Sequence, residues 1–183
     1  GRYRWRQQPD VGFWNVGALA QALAALVPEA GEKGSEGQER ILDALKAYET
    51  RYAEQMTARW RAKLGLQGAQ PQDMALIQDW LALMARQRAD FSITFRRLGA
   101  WRADLPAEAP ENAAVRDLFL DRAAFDAWAG RYAQRLVADG APGDADAQAA
   151  RRARMDAVNP WVVLRNHLAE AAIQSAQAGD FSE

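Results

Sequence analysis

The sequence ILDALKAYETRYAEQMTARWRAKL, residues 41–64, decides the fold class, because its apolar side chains recur at steps of three and four residues. That spacing is typical of one face of an α-helix. The positions that form this stripe are Ile41, Leu45, Tyr48, Tyr52, Met56, Trp60 and Leu64. The pattern therefore predicts a long amphipathic helix, which begins at a capping box of Ser35 and Gln38 and ends at Gly65.

Helical periodicity continues along almost the whole chain. The predicted helices cover residues 10–27, 35–64, 72–87, 91–98, 122–136, 145–157 and 160–178. Asp90 and Asp121 are predicted caps, and Asn159 followed by Pro160 is predicted to begin the last helix. No stretch alternates as a strand does, and no linker is long enough to divide the chain. We therefore predict an all-α protein of about seven helices, folded as a single helical domain over residues 1–183.

Composition limits the classes of partner. The 183 residues carry 23 Lys and Arg against 24 Asp and Glu, a net charge of -1. Such a balance argues against a nucleic-acid or anionic membrane partner. The apolar stretch at residues 16–27 is too short to span a bilayer and is predicted to be a core helix. We expect a soluble protein of the bacterial cytoplasm.

The residue types exclude several kinds of catalytic site. The chain has no cysteine, which excludes disulfides, thiolate zinc sites and cysteine nucleophiles. His167 is the one histidine, so sites that need two imidazoles are excluded. We interpret His167 as structural, because Ser175, the nearby serine, has no activating signature. The loop at residues 31–37 lacks phosphate-loop spacing and is interpreted as a connector. No catalytic, cofactor-binding or metal-binding residue is predicted, although a site made only of Asp and Glu stays open.

Arginines stand out at two places. Arg2, Arg4 and Arg6 alternate with aromatic residues and could grip phosphate or stack on bases. We favour the alternative that they pair with acidic groups of the fold, since the rest of the chain has no basic stripe. The arginines of residues 151–154, with the aspartates around them, are predicted to form a solvated face of mixed charge.

Tryptophans on apolar helical stripes are predicted to be core anchors rather than a ligand site. They are Trp14, Trp60, Trp80, Trp128 and Trp161.

Several segments resemble, in the same order, those of the selenoprotein O family of protein adenylyltransferases. They are GRYRWRQQPDVGFWNVGALAQAL at 1–23, ARWRAKLGL at 58–66, LMARQRADFSITFRRL at 83–98, DRAAFDAWAGRYAQRL at 121–136 and MDAVNPWVVLRNHLAEAAIQSAQAGD at 155–180. The resemblance implies a protein-kinase-like fold that binds ATP with Mg or Mn and transfers AMP to hydroxyl side chains of proteins.

The resemblance also implies where this chain lies in such an enzyme. The family's nucleotide-binding and catalytic groups all precede the GRY segment, and none of them matches a residue here. We expect the chain to be the helical C-lobe, with the helix of Trp14 as its buried central helix, inactive without the missing N-terminal kinase-like part. The other expected partners are the protein substrates of the parent enzyme. Arg2, Arg4 and Arg6 would lie nearest the active site and act indirectly. The alternative is a helical protein-interaction module that performs no chemistry.

Overall fold

The computed structural model describes residues 7–140 and 143–182, and this part of the chain is all-helical, with no strand. The helices are α1 (Gln8–Ala24), α2 (Glu36–Lys63), α3 (Asp73–Gln87), α4 (Phe91–Leu98), α5 (Ala113–Arg116), α6 (Arg122–Val137), α7 (Ala145–Val158) and α8 (Asn166–Gln177). The all-α prediction is confirmed. The short α5, and the 3-10 turn Pro110–Asn112 before it, lie between the predicted helices at residues 91–98 and 122–136.

Contacts within the chain define two compact units, residues 1–59 and 60–183. The boundary between the units falls inside α2. A compact unit is a smaller division than a domain, so the assignment of residues 1–183 to a single domain stays a prediction.

In the first unit, α1 packs on α2 through one tyrosine. The rings of Phe13 and Tyr48 lie 6.0 Å apart, and the Tyr48 hydroxyl donates a hydrogen bond of 3.4 Å to the carbonyl oxygen of Pro9. A Cβ at position 12 would collide with the Tyr48 hydroxyl, so Gly12 is what allows this close approach. Tyr48, one residue of the predicted stripe on α2, therefore faces α1.

The turn before α2 confirms the predicted cap. The amide of Gln38 donates to Ser35 Oγ at 3.2 Å, and Gln38 Oε1 accepts from the amide of Gly34 at 2.7 Å. Ser35 Oγ also donates to the carbonyl oxygen of Glu29. All three hydrogen bonds join residues within 29–38, so they stabilise the turn itself, as expected of a connector.

Aromatic rings fill the centre of the second unit. Trp80 and Trp128 stack with ring centroids 4.1 Å apart, and Trp128 stacks on Tyr132 at 4.9 Å. All three are buried, and burial of each large side chain contributes about 2 kcal/mol or more. The remaining buried apolar side chains are Leu64, Leu66, Leu76, Ile77, Leu83, Met84, Phe95, Leu98, Trp101, Val115, Phe119, Phe125, Ala129, Leu136 and Met155.

The structure corrects two of the predicted tryptophan burials. Trp80 and Trp128 are core anchors as predicted, and Trp60 packs against the core. Trp14 and Trp161, however, are 66% and 59% exposed. The helix of Trp14 has no buried residue at all. Helical periodicity identifies an apolar face, but a face is buried only where another element covers it.

Helix ends in the second unit follow local signals in most cases. Asp90 accepts from the amide of Ile93 at 2.9 Å, and Asp121 accepts from the amide of Ala124 at 3.0 Å, so both predicted caps are confirmed. The hydrogen bond from Ile93, together with the Arg165 guanidinium, lowers the pKa of Asp90.

The prediction that Asn159 and Pro160 begin the last helix is wrong. Asn159 is instead the C-terminal cap of α7, and α8 begins only at Asn166. The Asn159 side chain is used by a distant partner, because its Nδ2 donates to the carbonyl oxygen of Lys63 at 2.9 Å. A tertiary hydrogen bond has overridden the local capping signal.

Gly65 terminates α2 just beyond its last residue, Lys63, as predicted. Gly65 has φ +69°, its amide donates to Ala62, and the amide of Leu66 donates to Arg61. This pair of bonds is the Schellman arrangement. A Cβ at position 65 would lie 2.7 Å from Met155 Sδ, so glycine is required here by both the backbone and the packing.

Buried charges tie α3 to α6. The guanidinium of Arg135 donates through Nε to Asp73 Oδ1 and through Nη1 to Asp139 Oδ1, each at 2.6 Å, and through Nη2 to the carbonyl oxygen of Gln67 at 2.9 Å. The side chains of Arg135 and Asp73 are only 2% and 1% exposed. Such buried charges are tolerated when their polar atoms are bonded, and removal of one partner is costly.

We predict that Gly65→Ala destabilises the protein by about 3 kcal/mol, because it adds left-handed backbone strain to an overpacked contact with Met155. Gly68→Ala is the matched control, since Gly68 also has positive φ, +63°, but open space around it. We expect that variant to cost about 1 kcal/mol. Urea unfolding followed by circular dichroism measures both, and equal costs would contradict the packing account.

We predict that Asp73→Asn lowers the free energy of unfolding by about 3 kcal/mol, because it leaves the buried Arg135 short of a charged partner. Asp79→Asn provides the comparison, because Asp79 pairs with Arg131 at 2.6 Å but both side chains are about half exposed. That exposed pair should contribute less than about 1 kcal/mol. A loss for Asp73→Asn no larger than for Asp79→Asn, in the same unfolding assay, would show that the buried pair is not needed.

Candidate functional site

The arginines that the sequence singles out as indirect contributors, Arg2, Arg4 and Arg6, lie outside the described residues. Their role stays a prediction. The arginines of α7 are described, and here the structure corrects the sequence. Arg152 and Arg154 are exposed, as predicted, but Arg151 is buried against the core rather than solvated.

In the part of the chain that the structure describes, the side chains that could bind a metal or act in catalysis do not come together in one site. There, no group of three or more His, Asp or Glu side chains is placed to hold a metal ion. His167 is exposed on α8, and Ser175 lies eight residues further along the same helix. Eight residues of helix span about 12 Å, which is too far for a base to activate a hydroxyl.

The first surface that the described residues offer is the apolar face of α1 and the turn after it. The exposed large apolar side chains of α1 and this turn are Phe13, Trp14, Leu19, Leu23 and Leu26. The spacing of Leu19, Leu23 and Leu26 places them on one side of the chain. Exposed apolar patches of this kind mark surfaces that bind another protein segment. We call Leu19, Leu23 and Leu26 the α1 face, because Trp14 lies about 140° or more around the helix from Leu19 and Leu23.

A second apolar surface lies after α7, and polar anchors fix both of its ends. At one end Asn159 binds the carbonyl oxygen of Lys63, while Arg96 Nη1 donates to the carbonyl oxygen of Asn159 at 3.0 Å. At the other end Arg165 pairs with Asp90 at 2.8 Å. Between the anchors the chain is not helical. It is therefore held in place although its side chains are uncovered.

The anchored segment continues into α8 and exposes a row of apolar side chains. We call them the C-terminal apolar segment. They are Val158, Trp161, Val162, Val163, Leu164, Leu168 and Ile173. Sequence reasoning predicts burial for Trp161, and the Asn-Pro pair points to the wrong helix start. The signal that could have identified the segment is the run of adjacent apolar residues 161–164, which does not follow helical spacing.

One cationic group lies beside the first anchor. Lys63 Nζ donates to Asn159 Oδ1 at 3.1 Å and lies 5.5 Å and 5.3 Å from the ring centroids of Phe91 and Phe95. Burial lowers the pKa of Lys63. The amine is thus used for a hydrogen bond and for cation–π contact, which makes it a structural clamp between α2, α4 and the end of α7.

Comparison with known proteins identifies the class. The family model described as protein adenylyltransferase SelO matches residues 1–183. The chain is 45% identical over 186 residues to a protein nucleotidyltransferase YdiU of Paraburkholderia xenovorans, and 44% identical over 183 residues to one of Herminiimonas arsenicoxydans. This chain therefore belongs to the SelO family of protein adenylyltransferases.

The alignments cover 100% of this chain but only 34% and 33% of those two relatives. A third relative, the protein nucleotidyltransferase YdiU of Bordetella petrii, gives the same picture, with 45% identity and 33% of its length covered. The chain thus spans about one third of the curated relatives it matches. Among the helices of the described residues, none combines the length and apolar character needed to cross a membrane.

We predict that the purified chain self-associates as its concentration rises, because the α1 face exposes apolar surface to water. Replacing Leu19 and Leu23 together by Glu should shift the distribution toward monomer, with little effect on folding since both side chains are exposed. Leu120→Glu is the control, because Leu120 is 94% exposed and lies outside the face. Sedimentation velocity measures the distribution. A wild-type chain that stays monomeric, or a control that acts like the double variant, would contradict the prediction.

Proposed function

We propose that this chain is the C-terminal helical part of a SelO-type enzyme that transfers AMP from ATP to hydroxyl side chains of proteins. The observation that carries the proposal is the family match over the whole of residues 1–183, together with relatives about three times as long. The order of the resembling segments supports a place after the catalytic groups of the enzyme, in the helical lobe of a kinase-like fold.

The role of this part is structural support. The α1 face and the C-terminal apolar segment both expose apolar side chains, and polar anchors fix the second of them, as expected of surfaces that pack on the remaining two thirds of the protein. In the complete enzyme α1 would then be the buried central helix of the lobe. By holding the end of the activation segment, the lobe would shape the surface on which protein substrates bind.

The nucleotide and its metal do not fit the described residues. AMP transfer requires groups that bind the phosphates and neutralise charge while the hydroxyl oxygen displaces pyrophosphate. The described residues form no cluster of three metal-ligating side chains. In the glycine-containing loop at residues 31–37, the amide of Gly34 and the hydroxyl of Ser35 make hydrogen bonds within the turn itself. We therefore assign ATP and Mg or Mn to the rest of the enzyme, which would work in the bacterial cytoplasm.

A second candidate function uses the same two surfaces without chemistry. A stand-alone helical interaction module would dock an amphipathic segment of another protein on the α1 face. The reading frame upstream of Gly1 separates the two proposals. A glycine-rich loop, a lysine and an Asp-Asn pair encoded there would favour the enzyme, whereas an initiator Met directly ahead would favour the module.

We predict that the chain alone shows no low-micromolar binding of ATP and no AMP transfer, with either Mg or Mn present. Isothermal titration calorimetry measures the binding, and labelled ATP with the cell's proteins measures the transfer. The positive control is a full-length SelO relative under the same conditions. Low-micromolar binding of ATP by this chain would contradict the assignment of ATP binding to the rest of the enzyme.

A further inference from the structure

We propose that residues 162–165 pair along one side with an extended apolar strand, which the part of the complete enzyme outside this chain supplies. These residues lie in the C-terminal apolar segment, between the anchors at Asn159 and Arg165. The inference rests on the proposed function, because it takes the partner strand from the remaining two thirds of the protein. It adds the way in which this surface is covered.

The backbone of this stretch is extended. The chain is not helical between α7 and α8, and the residues at the two anchors, Asn159 and Arg165, have β-region angles of φ -116°, ψ 94° and φ -104°, ψ 146°. The exposed fractions of Val162, Val163 and Leu164 alternate, at 72%, 42% and 75%. Side chains that point in turn to opposite faces of a strand produce this period of two. The stretch therefore has the side-chain order of a strand.

The backbone groups of the stretch are unpaired. In the part of the chain that the structure describes, the amides of residues 162–165 have no acceptor and the carbonyl oxygens of residues 162–164 have no donor. Only the carbonyl oxygen of Arg165 is used, by the amides of Leu168 and Ala169 at the start of α8. Free backbone groups beside exposed apolar side chains are a template for another strand.

An extended partner suits these groups better than a helix does. Burying a backbone amide or carbonyl group without a hydrogen bond costs about 1–3 kcal/mol. A helix uses its own backbone groups internally and would leave those of the stretch unsatisfied. A strand supplies donors and acceptors in line with them. Because Val162 and Leu164 share one face, the partner should present apolar side chains on that face.

The length of the relatives argues for the rest of the enzyme as the source of the partner strand. Residues 7–140 and 143–182 form no strand that could pair with the stretch. The relatives are about three times as long as this chain, so most of their length lies outside it. A strand of the same polypeptide can reach an effective concentration of about millimolar, whereas a second copy must associate from dilute solution.

The test is hydrogen–deuterium exchange at single-residue resolution, on this chain and at the aligned positions of a full-length SelO relative. Successive amides of a strand point to opposite sides, so pairing along one side protects every second amide. We expect either Val162 and Leu164, or Val163 and Arg165, to exchange about tenfold or more slowly in the full-length protein, while the other two stay fast. All four should be fast in this chain. The neighbouring amides are thus matched controls for one another.

Equal protection of all four amides in the full-length protein would overturn the proposal, because it would show a cover other than one-sided strand pairing. Equally fast exchange of all four would also overturn it. The amides of α1 separate this failure from that of the proposed function. If α1 is slowed and residues 162–165 are not, the place of the chain in a larger enzyme stands; if neither is slowed, both proposals fail. Alternate protection that appears in this chain alone and grows with its concentration would assign the partner to a second copy, which contradicts the proposal.

Discussion

The second unit depends on the hydrogen bonds that the last carbonyl groups of α2 accept. The last carbonyl groups of a helix have no partner within the helix, and burying them without one is costly. Here the Tyr132 hydroxyl donates to the carbonyl oxygen of Leu64 at 2.6 Å, and Asn159 Nδ2 donates to that of Lys63 at 2.9 Å. One helix end thereby fixes the position of α6 and of the end of α7.

The same junction also positions the chain after α7 and the buried side chain of Arg151. Because Asn159 is held by Lys63, the chain after it leaves α7 in a fixed direction, and the C-terminal apolar segment starts there. Because Tyr132 is held by Leu64, its hydroxyl is placed to accept a hydrogen bond from the buried guanidinium of Arg151. Burial raises the pKa of Tyr132, so its hydroxyl stays protonated and can donate to Leu64 at neutral pH.

Local signals in the sequence predict much of this fold, and tertiary contacts explain what they miss. Asp90, Asp121 and Gly65 act within one helical turn, so their roles can be predicted from neighbouring residues alone. Whether Trp14 and Arg151 are buried depends on which distant parts of the chain pack against them. The periodicity of α1 predicts that the helix has apolar side chains, but it does not predict whether another element of this chain packs on them. The charge of Arg151 predicts exposure, yet its helical phase matches that of the buried Met155, four residues later. That spacing was the signal available for its burial.

The family assignment offers an explanation for the exposed apolar surfaces. If this chain is one lobe of a larger enzyme, as we propose, the rest of that enzyme covers the exposed apolar side chains of α1. Hydrogen–deuterium exchange tests this most directly, by comparing the amides of α1 in this chain with the aligned amides in a full-length SelO relative. The account predicts exchange slowed about tenfold or more in the full-length protein, because opening a covered helix costs additional free energy. Equal exchange in the two proteins would contradict it.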